Sequence, residues 1–306
     1  MKKIILALIL STILGLSTYS ASEVFMTKDI SSEGLIKVYE ALNKKPVGKV
    51  AIKISTGEPG GHNFLSPELI KKLVTDVNGT IVECNTAYGG KRANTAMHMQ
   101  VAKDHGFAAI APIDIQDAEG SISLPVKNGK HLTENLVGSH FKNYDSYIVI
   151  SHFKGHAMGG FGGAIKNISI GIASSEGKAL IHSAGKSRTN PWGGAQNPFL
   201  ESMAEAAKTV SDELNGNILY INVMNRLSVD CDCSSNPAEP DMYDIGILAS
   251  LDPVALDKAS VDLVYAAPDG KSLVERIESR NGTLTLKHAE EIGLGSQQYN
   301  LVSVDD

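Results

Sequence analysis

KVAIKISTGEPGGHNFLSPELIKKLVTDVNGTIVEC, residues 49–84, decides the fold. Residues 49–55 alternate like a strand, and three glycines and a proline at 57–61 then break the run. Ser66-Pro67-Glu68 opens a helix, with serine at the N-cap, proline at the first helical position and an acid in the first turn. Leu69, Ile70, Leu73 and Val74 give that helix one apolar face. Residues 80–84 form the next strand. Strand, glycine loop, helix and strand make the repeating unit of an α/β fold with a largely parallel sheet.

The same alternation extends in both directions. Residues 93–105 predict a helix that Gly106 stops, and 108–112 and 146–151 predict strands. Beyond them come a helix over 200–214, strands over 218–223 and 245–249, and a helix starting at Pro253 with Asp252 as its N-cap. A helix over 270–280 and a closing strand over 299–304 complete the pattern. The expected class is α/β, a mostly parallel or mixed sheet flanked by helices, in one or two lobes. No fixed-period repeat or linker-like stretch divides residues 22–306, so they read as a single domain.

A hydrophobic content of 42% over 306 residues excludes general disorder and supports a substantial core. With 28 basic against 34 acidic residues the net charge is -6, which argues against a nucleic-acid partner. Lys2 and Lys3 precede an apolar run over residues 4–16 and the small, polar exit Ser17 to Ala21. This is the pattern of a secretory signal peptide over residues 1–21, too short to span a bilayer comfortably. The expected location is periplasmic or secreted, with no stable membrane span after cleavage. Three cysteines do not make a disulfide scaffold. Cys231 and Cys233 are separated by one residue, a spacing that closes only a small and strained disulfide ring, and a link from Cys84 to either one is possible and would leave one thiol free.

Chemistry concentrates in SHFKGHAMGGFGGAIKNISIG, residues 151–171, which follows a strand end, the usual place for sites in open parallel sheets. His152 and His156 are candidate bases or metal ligands, and Lys166 is a candidate anchor for a phosphate or an amine for covalent attachment. Gly159, Gly160, Gly162 and Gly163 allow close backbone approach and N–H groups aimed at an anion. The run is not a Walker A loop. Asp230-Cys231-Asp232-Cys233 mixes soft and hard donors suited to a metal ion or iron–sulfur centre, with further ligands needed from Cys84 or a histidine. Gly60 and Gly61, with Lys53 upstream, and the loop Tyr88 to Arg92, with Lys91, place cationic glycine loops after successive strands. Loops sharing one rim would favour a small anionic ligand.

GEPGGHNFLSPELI, NTAYGGKRANT, SHFKGHAMGGFGGAIKNISIGIAS, GKALIH, VDCDC and DIGILASLDPVALDKASVDL together resemble the domain-of-unknown-function 362 family over residues 50–263. Its members are often labelled iron–sulfur centre proteins, and many carry a ferredoxin-type C-x-x-C-x-x-C insert that this chain lacks. His156, the glycine run and Lys166 are also similar to a segment of the lactate racemase family, whose matching histidine and lysine hold a nickel-pincer nucleotide. The leading expectation is a metal- or cofactor-dependent enzyme acting on a small anionic substrate. A non-catalytic metal or iron–sulfur redox carrier and a metal-free envelope binding protein remain as rivals.

Overall fold

The computed structural model describes residues 21–305; the expected signal peptide lies almost wholly outside them. The chain runs β1 (Ser22–Thr27), α1 (Ser32–Ala41), β2 (Val50–Lys53), α2 (Pro67–Asp76), β3 (Thr80–Glu83), α3 (Thr95–Asp104) and β4 (Ile113–Ile115). It continues through β5 (Ser121–Pro125), β6 (Glu134–Gly138), β7 (Ser146–His152), β8 (Lys154–His156), β9 (Gly160–Gly162), α4 (Ala164–Ser169) and α5 (Ser175–His182). It ends with α6 (Gln196–Glu213), β10 (Ile218–Met224), β11 (Gly246–Ser250), α7 (Pro253–Ala266), α8 (Lys271–Ser279), α9 (Leu284–Glu291) and β12 (Tyr299–Ser303).

Eight strands form one sheet in the order β12-β1-β11-β10-β7-β2-β3-β4. Its pairings are parallel except for the two that β11 makes, with β1 and with β10. The fold is therefore α/β, with a mixed, mostly parallel sheet. Strand alternation explains why both faces are covered. Ala51, Tyr147 and Ile218 lie side by side on one face, against residues of α4, α6, α7 and α9. Ile52, Ile148 and Leu219 lie on the other, against α1 and α2.

The caps read from sequence hold at α7, where the Asp252 carboxylate accepts from the Val254 and Ala255 amides. One strand is displaced. Residues 107–109 form a 3-10 turn, and the strand begins only at Ile113, which pairs with Ile81. Gly106, at φ 86°, ends α3, and Phe107 must enter the core before the chain can reach the sheet edge. β1 and α1 were not foreseen, nor was the β8–β9 hairpin inside the supposed glycine loop.

The order also locates the site. From β2 the chain winds outward through β3 to β4, whereas from β7 it winds the opposite way through β10 to β11. The crevice between the carboxyl ends of β2 and β7 is the topological switch point, where ligands of open α/β sheets bind. Among the described residues no helix is long and apolar enough to cross a membrane.

Candidate functional site

At that switch point lies a small cleft of about 90 Å³. Lys53 comes from the end of β2, Glu83 from the end of β3, His152 from the end of β7, and Cys231 to Cys233 from the loop after β10. Five cations line it, Lys53, Arg92, Lys154, Lys166 and Lys178, against two carboxylates, Glu83 and Asp232.

Three of the cations are paired. Lys53, only 1% exposed, donates to Glu83 at 2.8 Å and to the Ile54 carbonyl. Glu83 also accepts from the Thr56 amide at 2.8 Å and meets Arg92 at 3.5 Å. Burial raises the Glu83 carboxyl, but Lys53, His98 and Arg92 outweigh it and hold the group well below the usual range. Arg92 is held loosely, with Glu58 at 3.6 Å and no hydrogen-bond partner for its buried Nε. On the other side, Asp232 accepts from Lys154 Nζ at 2.8 Å and from His152 Nδ1 at 2.9 Å. Burial again raises this carboxyl, and His152 and then Lys154 bring it down to about 2.

Among the described residues, the remaining two lysines pair with no carboxylate. Lys178 Nζ, buried, donates to the carbonyls of Ala173 at 2.6 Å and Cys84 at 3.4 Å. Lys166 Nζ makes neither a hydrogen bond nor an ion pair among the described residues, although it lines the cleft. Burial, then Arg92, lowers the Lys166 ammonium to about 8, a value suited to proton transfer near neutral pH. Burial lowers Lys178 as well.

Lys166 is placed by a buried acid on a distant helix. Asp257 of α7 accepts from the Ala164 amide at 2.7 Å, the Ile165 amide at 2.9 Å and Asn222 Nδ2 at 2.8 Å. It thereby caps α4, the short helix that carries Lys166 and Asn167 to the cleft. The first amides of α4 are thus already taken, so they do not face an anion as the glycine pattern suggested. Gly163 is required because a Cβ there would stand 2.3 Å from Asp257 Oδ1. Burial pushes the Asp257 carboxyl up to about 6.

Cys231 and Cys233 are bonded to each other at the cleft wall, and Cys84 stands apart, buried, its thiol donating to the Ile172 carbonyl. Burial drives the Cys84 thiol up to about 12, so it is inert. The ligand atoms of His156, Cys231 and Cys233 lie within 4.8 Å of one another. His156 Nδ1 accepts from the Gly159 amide at 2.8 Å. Burial keeps this imidazole neutral, so the accepted bond leaves its proton on Nε2. A metal-ligating histidine normally uses its second nitrogen as a donor to its own support, and His156 does the reverse. Asp230 is engaged by Arg276 at 3.1 Å, and Asp232 by His152 and Lys154. These residues do not fit an iron–sulfur centre, which needs a fuller set of free thiolates.

The expected residues therefore divide. Lys53, His152, Gly162, Gly163, Lys166, Cys231, Asp232 and Cys233 converge on the cleft. His152 is not free to act as base or ligand, because Nε2 also faces the Asn225 carbonyl at 2.7 Å. Lys91 is exposed, and its neighbour Arg92 takes the inward position. Gly60 and Gly61 pack against the Ser235 and Ser234 carbonyls, outside the cleft lining. Gly159 supports His156, and Gly160, at φ 79°, lets the hairpin pass close to Ile277 and Gly282. Glu83, Lys178 and Asp257 escaped the sequence reading. Lys178 carried a faint signal, as the one cation of α5, between residues of its buried face.

The family model described as "Domain of unknown function (DUF362)" matches residues 50–262. No curated protein matches. Among solved structures, the chain is similar to the lactate racemase apoprotein from Thermoanaerobacterium thermosaccharolyticum, at 17% identity and a TM-score of 0.46, over 79% of this chain and 57% of that one. It is also similar to a Thermotoga maritima protein, at 14% identity and a TM-score of 0.44, over 85% and 58% of the two chains. The chain thus spans under two thirds of the length of either structure. With the family model covering most of the chain, from β2 into α7 and including every residue that lines the cleft, the chain belongs to the DUF362 family.

Proposed function

We propose that the cleft binds a small anionic molecule, bearing phosphate or carboxylate, and that Lys166 acts on it as a proton-transferring or nucleophilic amine. The observation that carries this reading is the pair of lysines, Lys166 and Lys178, facing the cleft without a carboxylate. Lys178 is buried and Lys166 half-buried, and a cation withdrawn from water without a hydrogen-bonded carboxylate carries a desolvation cost. A bound anion removes that penalty, and the loosely held Arg92 is placed to join it. Lys53 and Lys154 are already neutralised and serve to hold the frame. An amine titrating near 8 is available as a base in a cleft that also stabilises developing negative charge.

We further propose that the protein works outside the cytoplasm. Residues 1–21 have the signal-peptide pattern, and a disulfide between Cys231 and Cys233 suits an oxidising compartment.

Titration calorimetry with pyrophosphate, malonate and neutral glycerol tests the binding step. Both anions are expected to bind, more weakly as salt rises, and glycerol is not. Absence of binding by both anions at low salt would refute the reading.

A further inference from the structure

The cysteine pair is left unexplained by anion binding. Cys231 and Cys233 are both half-buried, line the cationic cleft and are bonded to each other, while the third cysteine is sealed in the core. A disulfide that merely braced the fold would gain little from linking residues two apart, since the loop it closes is minimal. Its position is also unusual for a brace, because it forms part of the wall that Lys166 and Lys154 face. His156 stands beside it, one of its ring nitrogens within 4.8 Å of both sulfurs, while its Nδ1 accepts from the Gly159 amide.

From this juxtaposition we infer that the Cys231–Cys233 bond is a thiol–disulfide exchange centre for small anionic thiols. The inference rests on the anion-binding reading, since the lysines are what would draw such a thiol to the bond. A bound thiolate attacks one sulfur of the pair. The new mixed disulfide forms as the Cys231–Cys233 bond breaks, and its electron pair leaves on the other cysteine sulfur, inside the cationic cleft beside His156. A second thiol of the same class attacks the mixed disulfide. It releases the substrate as its symmetrical disulfide and leaves two cysteine thiols. The protein disulfide gains two electrons, two substrate thiols lose one each, and their protons pass to the cysteines through solvent.

The test follows opening of the bond by alkylation and mass analysis of the peptide containing residues 231–233. Aerobically purified protein is incubated with 3-mercaptopropionate or with cysteamine at matched thiolate concentrations. The anionic thiol is expected to open the bond about tenfold faster or more, the scale of electrostatic steering into a charged cleft. Pyrophosphate should slow it, and Lys166→Met should bring the two rates together. Competition by pyrophosphate in the unaltered protein carries the same information should the variant fail to fold. Equal rates for the two thiols, or two free thiols in the aerobically purified protein, would overturn the exchange centre. Pyrophosphate binding measured by calorimetry on the same sample, alongside equal thiol rates, would overturn the exchange centre alone and leave the anion site standing.

Discussion

Two sets of cations share one cleft and differ in what faces them. Lys53 and Lys154 each meet a carboxylate at 2.8 Å, whereas Lys166 and Lys178 meet none. The first set spends its charge inside the protein, and the second keeps it for a ligand. This difference separates framework from function more sharply than burial does, because Lys53, Lys154 and Lys178 are all buried.

The largest effect comes from breaking a pair. Glu83→Gln leaves Lys53 without its carboxylate and Arg92 with Glu58 alone, and is expected to cost about 3–5 kcal/mol in urea unfolding. Adding Lys53→Met to Glu83→Gln should restore much of that loss, because the stranded charge is removed with it. Next in size is the latch that holds α4. In Asp257→Asn an amide N–H must face a backbone N–H, which costs roughly 1–3 kcal/mol for the unsatisfied donor. The carboxyl of Asp257 also has a definite sign in pH. Its folded value of about 6 lies above the ordinary 3.8, so the native state binds the proton more readily. Its contribution therefore favours folding below about 4 and declines as pH rises through 6, a slope that Asp257→Asn should remove.

The unpaired set should respond in the opposite way. Lys166→Met is expected to leave stability unchanged or higher, yet to weaken pyrophosphate binding about tenfold to a hundredfold, the worth of one charged hydrogen bond. Since Lys166 loses its proton near 8, affinity for pyrophosphate should fall as pH rises through that value. The fall should be shallower in Lys166→Met. The smallest effect sharpens the contrast from outside the cleft. Lys91→Ala, one residue from Arg92 but exposed, should change stability by less than about 0.5 kcal/mol and leave affinity essentially intact.

Much of the frame was legible in the sequence. Alternation at 49–55 and 80–84, the Ser66-Pro67-Glu68 start and the Asp252 cap are local signals, and local signals set elements. The positions of Lys53 and the Cys231–Cys233 segment at one rim follow from strand ends in a parallel sheet, whereas Lys166 reaches it on α4, after a hairpin the sequence did not reveal. What stayed hidden depends on distance in space. Glu83 looked like an ordinary strand acid until β2 and β3 paired and brought Lys53 to it. Asp257 lay on a helix face between apolar residues, with no sign that it would cap α4 from 93 positions away. The choice of Arg92 over Lys91 is one of side-chain direction, which adjacent cations in a loop do not encode. His152 looked free until Asp232 and the Asn225 carbonyl closed on its two nitrogens.

The central claim is that Lys166 is held uncompensated for an anion. Its most direct test is urea unfolding of the unaltered protein and of Lys166→Met, each with and without pyrophosphate. Linkage requires a ligand that binds only the native state to raise unfolding free energy with the logarithm of its concentration. The account predicts that pyrophosphate stabilises the unaltered protein strongly and Lys166→Met weakly, while the variant without ligand is at least as stable as the original. A variant that loses stability without ligand, yet gains as much from pyrophosphate as the original does, would contradict it and place Lys166 among the structural cations.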